Sequence, residues 1–534
     1  MSVSAPGPIP PSGREPSLRR LPVLTGEASS TESEPAGDCC EACAAARAAA
    51  HADVPATPAP VASSPPAVAS ASPATSPSQA SREAASREAA SPPFRRALPI
   101  LDGAARPGVG IARSTDRRIA FAGLAVSAVY LALAAASLVL PPAIRLGTWL
   151  PAHLALAGAA ATAIASILPF FTAALAVAPP AKPAIRISAI ALVAGGALAV
   201  MTAWGHAAGE AVPAAIAGGS FLAGIGLVGV AAFGPLRGAL GPRRPLVERA
   251  YAVALFNVAV GATIATFLLG GNDAVAGAWS SLKPAHAWLN LLGFAGLVVV
   301  ASLLHLAPTV AGTRMRPRRS GQLAVVGLAL GAPLVAAGYA FRLDLVAQAG
   351  AAAVLAGGHG VMLHAIGVAR DGAPGRWTTD PGWHRLTSGS LVAGQLWLAT
   401  GLIMAAARVL GGGAAPASWS LAPLLGPLVI GGIVQILLGA MTHLLPAIGP
   451  GDQVRHAAQR GLLGRAARAR LAALNAGAGL VLLGSWPPAA GIVGAAAGGL
   501  VGLGLALAAG GLGVSLGLLG VAASLSPARR PAAA

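Results

Sequence analysis

Residues 284–320 read PAHAWLNLLGFAGLVVVASLLHLAPTVAGTRMRPRRS. From Ala285 to Gly312 no residue carries a formal charge. As a helix that run measures roughly 42 Å, more than the ~30 Å of a bilayer's hydrocarbon core. It ends in Arg314, Arg316, Arg318 and Arg319. An apolar run closed by an arginine cluster is the pattern of a transmembrane helix with a cytoplasmic exit. The same run carries His286, Asn290 and His305, and polar groups at membrane depth are functional candidates.

The rest of the chain repeats the pattern. Of 534 residues, 55% are hydrophobic and 10% charged, too apolar for one soluble core and suited to a multi-span, all-α membrane bundle. The net charge of +18 does not point to nucleic acid. Residues 1–112 hold nine Arg against ten acids, whereas residues 113–534 hold 27 Lys and Arg against eight. That excess sits in short loops between apolar runs, where it sets membrane orientation.

Twelve apolar runs follow Arg113, at 119–140, 151–178, 184–203, 212–235, 250–270, 285–312, 321–341, 343–368, 388–410, 422–447, 468–486 and 489–522. With the N-terminus inside, 23 Lys and Arg flank the inner ends of these runs and four the outer ends. One miscounted span would invert every assignment downstream of it, so the split supports twelve. Trp149, Trp204, Trp279, Trp419 and Trp486 all fall at outer ends, as an interfacial belt requires. The expected protein is a multi-pass component of the cell's inner (plasma) membrane, in contact with lipid, with both termini cytoplasmic.

Residues 1–112 are rich in Ala, Pro and Ser, with a duplicated SREAA. Such a composition cannot bury enough apolar surface to become ordered and reads as a disordered cytoplasmic tail. No apolar stretch near Met1 resembles a cleavable signal, so the first span is expected to act as an uncleaved anchor. Cys39, Cys40 and Cys43 lie in the tail, with His51 beyond them. Three thiols and an imidazole can bind a metal, but the spacing is irregular and favours a reduced, flexible segment.

No Asp or Glu falls mid-span, which weakens a reading as an ion-coupled carrier. The sequence shows no convincing internal repeat, although AGGHG in the eighth run leaves room for a broken helix. Histidine is what the spans contain. His153 and His286 open the second and sixth runs near the outer face; His305, His359, His364 and His443 lie toward the inner ends of the sixth, eighth and tenth. Neutral imidazoles from different helices are how bundles hold a metal or haem iron. The plainer alternative for each is a hydrogen bond to headgroups or a carbonyl. His286 and Asn290 are four apart, hence on one face, where the amide can orient a ligand or a neighbouring helix. Asn257, Asn290, Gln348, Gln395, Gln435 and Asn475 are expected to hydrogen-bond between helices, at about 0.6 kcal/mol each.

These residues carry a resemblance. HAWLNLLGF from His286, followed by HLAPTVAGTRM, is similar to a segment of bacterial proteins related to haem–copper oxidase subunit I and the nitric oxide reductase large subunit, where an H-x-x-x-N-x-x-G helix recurs. HLALAGAA from His153 resembles their second helix, and GPLVIGGIVQILLGAM in the tenth run also looks like this group. The resemblance implies twelve spans, a haem or copper cofactor at His153 and His286, and a respiratory or nitrogen-oxide redox role. A periplasmic cupredoxin or cytochrome would then be the electron donor. The chain departs from subunit I in having no histidine in the seventh run and His443 alone in the tenth, so a binuclear haem–copper centre is not implied. The competing expectation is a non-redox transporter, or a scaffold partner of a periplasmic copper enzyme.

Overall fold

In the computed structural model the chain is helical wherever it is regular, and residues 107–525 are described apart from 207–208, 242–243, 272–274, 276, 373–380, 417–418 and 450. The first helix starts at Pro107, six residues inside the expected tail. The rest of that tail, with Cys39, Cys40, Cys43 and His51, lies outside the described residues.

Among the described residues, eleven helices are long and apolar enough to cross a membrane. They are span 1 (Ser114–Ser137), span 2 (Trp149–Leu175), span 3 (Pro183–Trp204), span 4 (Ala211–Gly238), span 5 (Pro245–Leu269), span 6 (Trp279–Val310), span 7 (Arg319–Phe341), span 8 (Asp344–Asp371), span 9 (Pro381–Gly412), span 10 (Ala422–Ile448) and span 12 (Pro487–Ser524). Span 11 is a bent pair, Gln453–Leu463 followed by Ala467–Ser485 at 53°. Counted as one, it completes the expected twelve. The AGGHG stretch does not break span 8, which runs unbroken from Asp344 to Asp371.

The break in span 11 has an identifiable cause. Ala466 takes the left-handed conformation at φ 49°, which interrupts the helical ladder just past Gln453–Leu463 and leaves carbonyls at the break to be met from elsewhere. Arg470, fully buried, turns back to donate from Nη1 to the Leu463 and Arg465 carbonyls at 2.8 and 3.2 Å, and from Nε to Ser515 Oγ of span 12 at 2.8 Å. A guanidinium on the negative end of a broken helix is compensated without a carboxylate. Arg186 of span 3 is likewise a packing element. It pairs with Asp116 of span 1 and donates to the Ser166 carbonyl of span 2 at 2.6 Å, tying three spans together. Both arginines, read from the sequence as loop cations, are buried inside the bundle.

Burial separates the spans into two classes. Spans 2, 6 and 10 are 67, 72 and 78% buried over their most apolar windows, and no other continuous span exceeds 61%. These three touch one another and form the centre. They recur every fourth span, so the chain divides into three four-span units: 1–4, 5–8 and 9–12. In each unit the first span packs on the inner one and the last two form a close hairpin. Glycine permits that closeness in all three. A Cβ would come within 2.5 Å of the Phe221 nitrogen at Gly196, 2.7 Å of the Gly350 carbonyl at Gly331, and 2.7 Å of the Gly504 carbonyl at Gly477. Span 4 packs on span 5, span 8 on span 9 and span 12 on span 1, closing a ring around the inner three. The apolar sequence does not display this repeat because similar packing is built from different Ala, Gly, Leu and Val combinations.

Each inner span also widens to a π-helix over part of its length: Leu154–Ala160, Trp288–Gly296 and Leu425–Val434. A π-helix shifts its hydrogen bonds by one residue and exposes carbonyls to neighbours. Span 1 answers with Ser127 Oγ, which donates to Ala159 O at 2.8 Å; span 5 answers with Asn257 Nδ2, which donates to Gly293 O at 2.9 Å.

Candidate functional site

His153 and His286 sit at the same end of the bundle, one residue ahead of the π-helix of span 2 and two ahead of that of span 6. Their ring centres are 6.5 Å apart and their planes 8° from parallel. Each ring is tied at Nδ1. His153 Nδ1 lies 2.8 Å from the Trp149 carbonyl, and His286 Nδ1 lies 2.9 Å from the Gly261 carbonyl of span 5. A carbonyl can only accept, so His153 Nδ1–H donates to it and Nε2 carries the lone pair.

Asn290 completes the cradle. Its Nδ2 lies 2.8 Å from His286 Nδ1 and donates to the His286 carbonyl at 2.8 Å. His286 Nδ1 therefore stands between the Gly261 carbonyl, to which it can donate, and the Asn290 amide, from which it can accept, and the ring tautomer selects between them. The approach depends on Gly261, where a Cβ would stand 2.4 Å from Asn290 Nδ2. The four-residue spacing of His286 and Asn290 is legible in the sequence. Gly261 is not, since it contributes a carbonyl and an absence of side chain.

An aromatic column surrounds His153. Trp149 stacks on it at 4.1 Å and 25°, Trp204 stacks on Trp149 at 5.2 Å, and Trp279 on Trp204 at 6.2 Å. Lys283 Nζ lies 5.9 Å from the Trp279 ring centre. These three tryptophans, expected at the outer ends of spans 2, 3 and 6, pack on one another. Trp419 takes a different neighbour, Trp288, at 5.8 Å.

The other histidines do not join the pair. His305 is flanked by Arg244 of span 5, and both its ring nitrogens are buried without a hydrogen-bond partner. His364 lies beside Leu303 and Gly321. His359 is exposed and its Nδ1 bonds the Leu355 carbonyl of its own helix at 2.8 Å. His443 stacks on Trp383 at 5.3 Å and 9°. Among the described residues no group of three or more His, Cys, Asp or Glu is placed to hold a metal ion.

The expected interhelical amides divide. Asn257 bonds across to span 6, Gln348 reaches the Leu410 carbonyl of span 9 at 3.4 Å, and Asn475 accepts from Trp397 Nε1 at 2.7 Å. Asn290 and Gln395 instead bond carbonyls of their own helices. Gln435 is buried with neither polar atom partnered.

The ring centres stand 6.5 Å apart, and each Nδ1 lies at a carbonyl, the usual support of a ligating histidine. Two ligands suffice for a copper(I) ion, or for haem iron whose other four positions the macrocycle fills. No family model and no curated protein matches this sequence.

Proposed function

We propose that this membrane protein holds one redox metal, copper or haem iron, between His153 and His286. The carrying observation is the parallel pair of rings from two inner spans, each with Nδ1 held at a backbone carbonyl. A metal bound there supplies one-electron redox chemistry. The protein's own part is to orient the two imidazoles through the Trp149 and Gly261 carbonyls. Asn290 braces His286, and the Trp149 face keeps water from His153. Under the expected topology the pair lies near the outer surface, where a cupredoxin or cytochrome would exchange electrons with it.

Absorbance and metal analysis of the full chain purified in detergent test the reading. The expected result is a Soret band or stoichiometric copper, lost in His286→Ala and in His153→Ala but kept in His359→Ala. Colourless protein without stoichiometric iron or copper would overturn it. The break in span 11 favours a second reading, a non-redox carrier or scaffold, because discontinuous helices line transport sites. That reading expects the colourless result.

A further inference from the structure

A second feature of the three inner spans is independent of the histidine pair. Where the π-helices end, the spans border a half-open cavity of about 100 Å³. Its lining comes from residues 160–171 of span 2, 295–306 of span 6 and 433–444 of span 10, with Leu124 of span 1 and Tyr251 of span 5. Each inner span thus contributes a twelve-residue window beginning at or next to the last residue of its π-helix. The space follows from the threefold construction of the bundle, and small residues such as Ala163, Ala295 and Ala440 keep it open.

Its chemistry is narrow. No charged side chain lines it, which excludes ions. Its polar side-chain atoms are the Tyr251 and Ser302 hydroxyls, which bond each other at 2.9 Å. A water needs two to four polar partners, which this lining does not offer, and dry apolar cavities accept guests such as xenon or benzene. Lining atoms with nothing opposite them also forgo dispersion contacts that a guest would restore. We propose that this central cavity is a binding site for a small, uncharged, apolar molecule of the size of a dissolved gas, drawn from the surrounding lipid.

Xenon is the probe. The full chain in lipid nanodiscs, studied by ¹²⁹Xe NMR under increasing xenon pressure, should show a saturable site. Ala163→Phe on span 2 and Ala440→Phe on span 10, which fill the space from opposite walls, should each abolish it. Should either fail to give a monodisperse protein, Leu437→Ala enlarges the same cavity and should raise its xenon occupancy at a given pressure. Absence of a saturable site in the unaltered chain overturns the proposal. So does a site that persists in a folded filled variant, or one indifferent to Leu437→Ala. Co-purification of a lipid acyl chain that xenon cannot displace would also overturn it. Xenon binding needs no metal, so the outcome is separate from that at His153 and His286.

Discussion

Gly261→Ala is a sharp test of how the histidine end is assembled. The added Cβ would lie 2.4 Å from Asn290 Nδ2 and 2.8 Å from its Cγ and Oδ1, and the three nearest atoms it meets all belong to Asn290. Ordinary contact begins near 3.4 Å, so Asn290 has to move by about 1 Å. Its 2.8 Å bond to the His286 carbonyl does not survive such a shift. Overpacking of this kind costs about 1–3 kcal/mol. Asn290→Ala alone removes the bond and the obstruction, at about 0.5–1.5 kcal/mol for one neutral hydrogen bond. In the double variant the new methyl group occupies the space that the amide vacated. Its destabilisation should therefore approach that of Asn290→Ala by itself, a favourable coupling of about 1–3 kcal/mol, the whole cost of Gly261→Ala. Reversible unfolding in SDS, followed by tryptophan fluorescence, measures all three. Strict additivity, or a neutral Gly261→Ala, would show that spans 5 and 6 are not held together as described.

Two further outcomes follow from the buried arginines. Asp116→Ala strands the Arg186 guanidinium where three spans meet and should cost about 3–5 kcal/mol by the same SDS titration. Changing Asp116 and Arg186 together to Leu and Met should recover most of that loss, since a well-packed apolar pair replaces a buried ion pair at little net cost. Arg470→Met leaves the Leu463 and Arg465 carbonyls without their partner and should destabilise by roughly 1–3 kcal/mol for each orphaned group. Arg470→Lys should not restore stability, because one ammonium cannot serve Ser515 and both carbonyls together; equal stability of Arg470→Lys and the parent chain in that titration would contradict this.

The membrane architecture is written locally in the chain. Hydrocarbon thickness demands apolar runs of a set length, and with every backbone bond satisfied inside its own helix each span can be read without its neighbours. The His286–Asn290 relation is legible for the same reason, since it spans one turn of one helix. What sequence could not supply is which apolar residues face lipid and which face protein, because both environments accept the same side chains. The inner position of spans 2, 6 and 10, their threefold recurrence and the central cavity are therefore properties of packing alone. Arg186 and Arg470 look like loop cations until the bundle shows the carboxylate and the carbonyls they answer. The meeting of His153 with His286 belongs to the same class, for it needs two helices more than a hundred residues apart to be brought side by side, with a carbonyl of a third behind one of the rings.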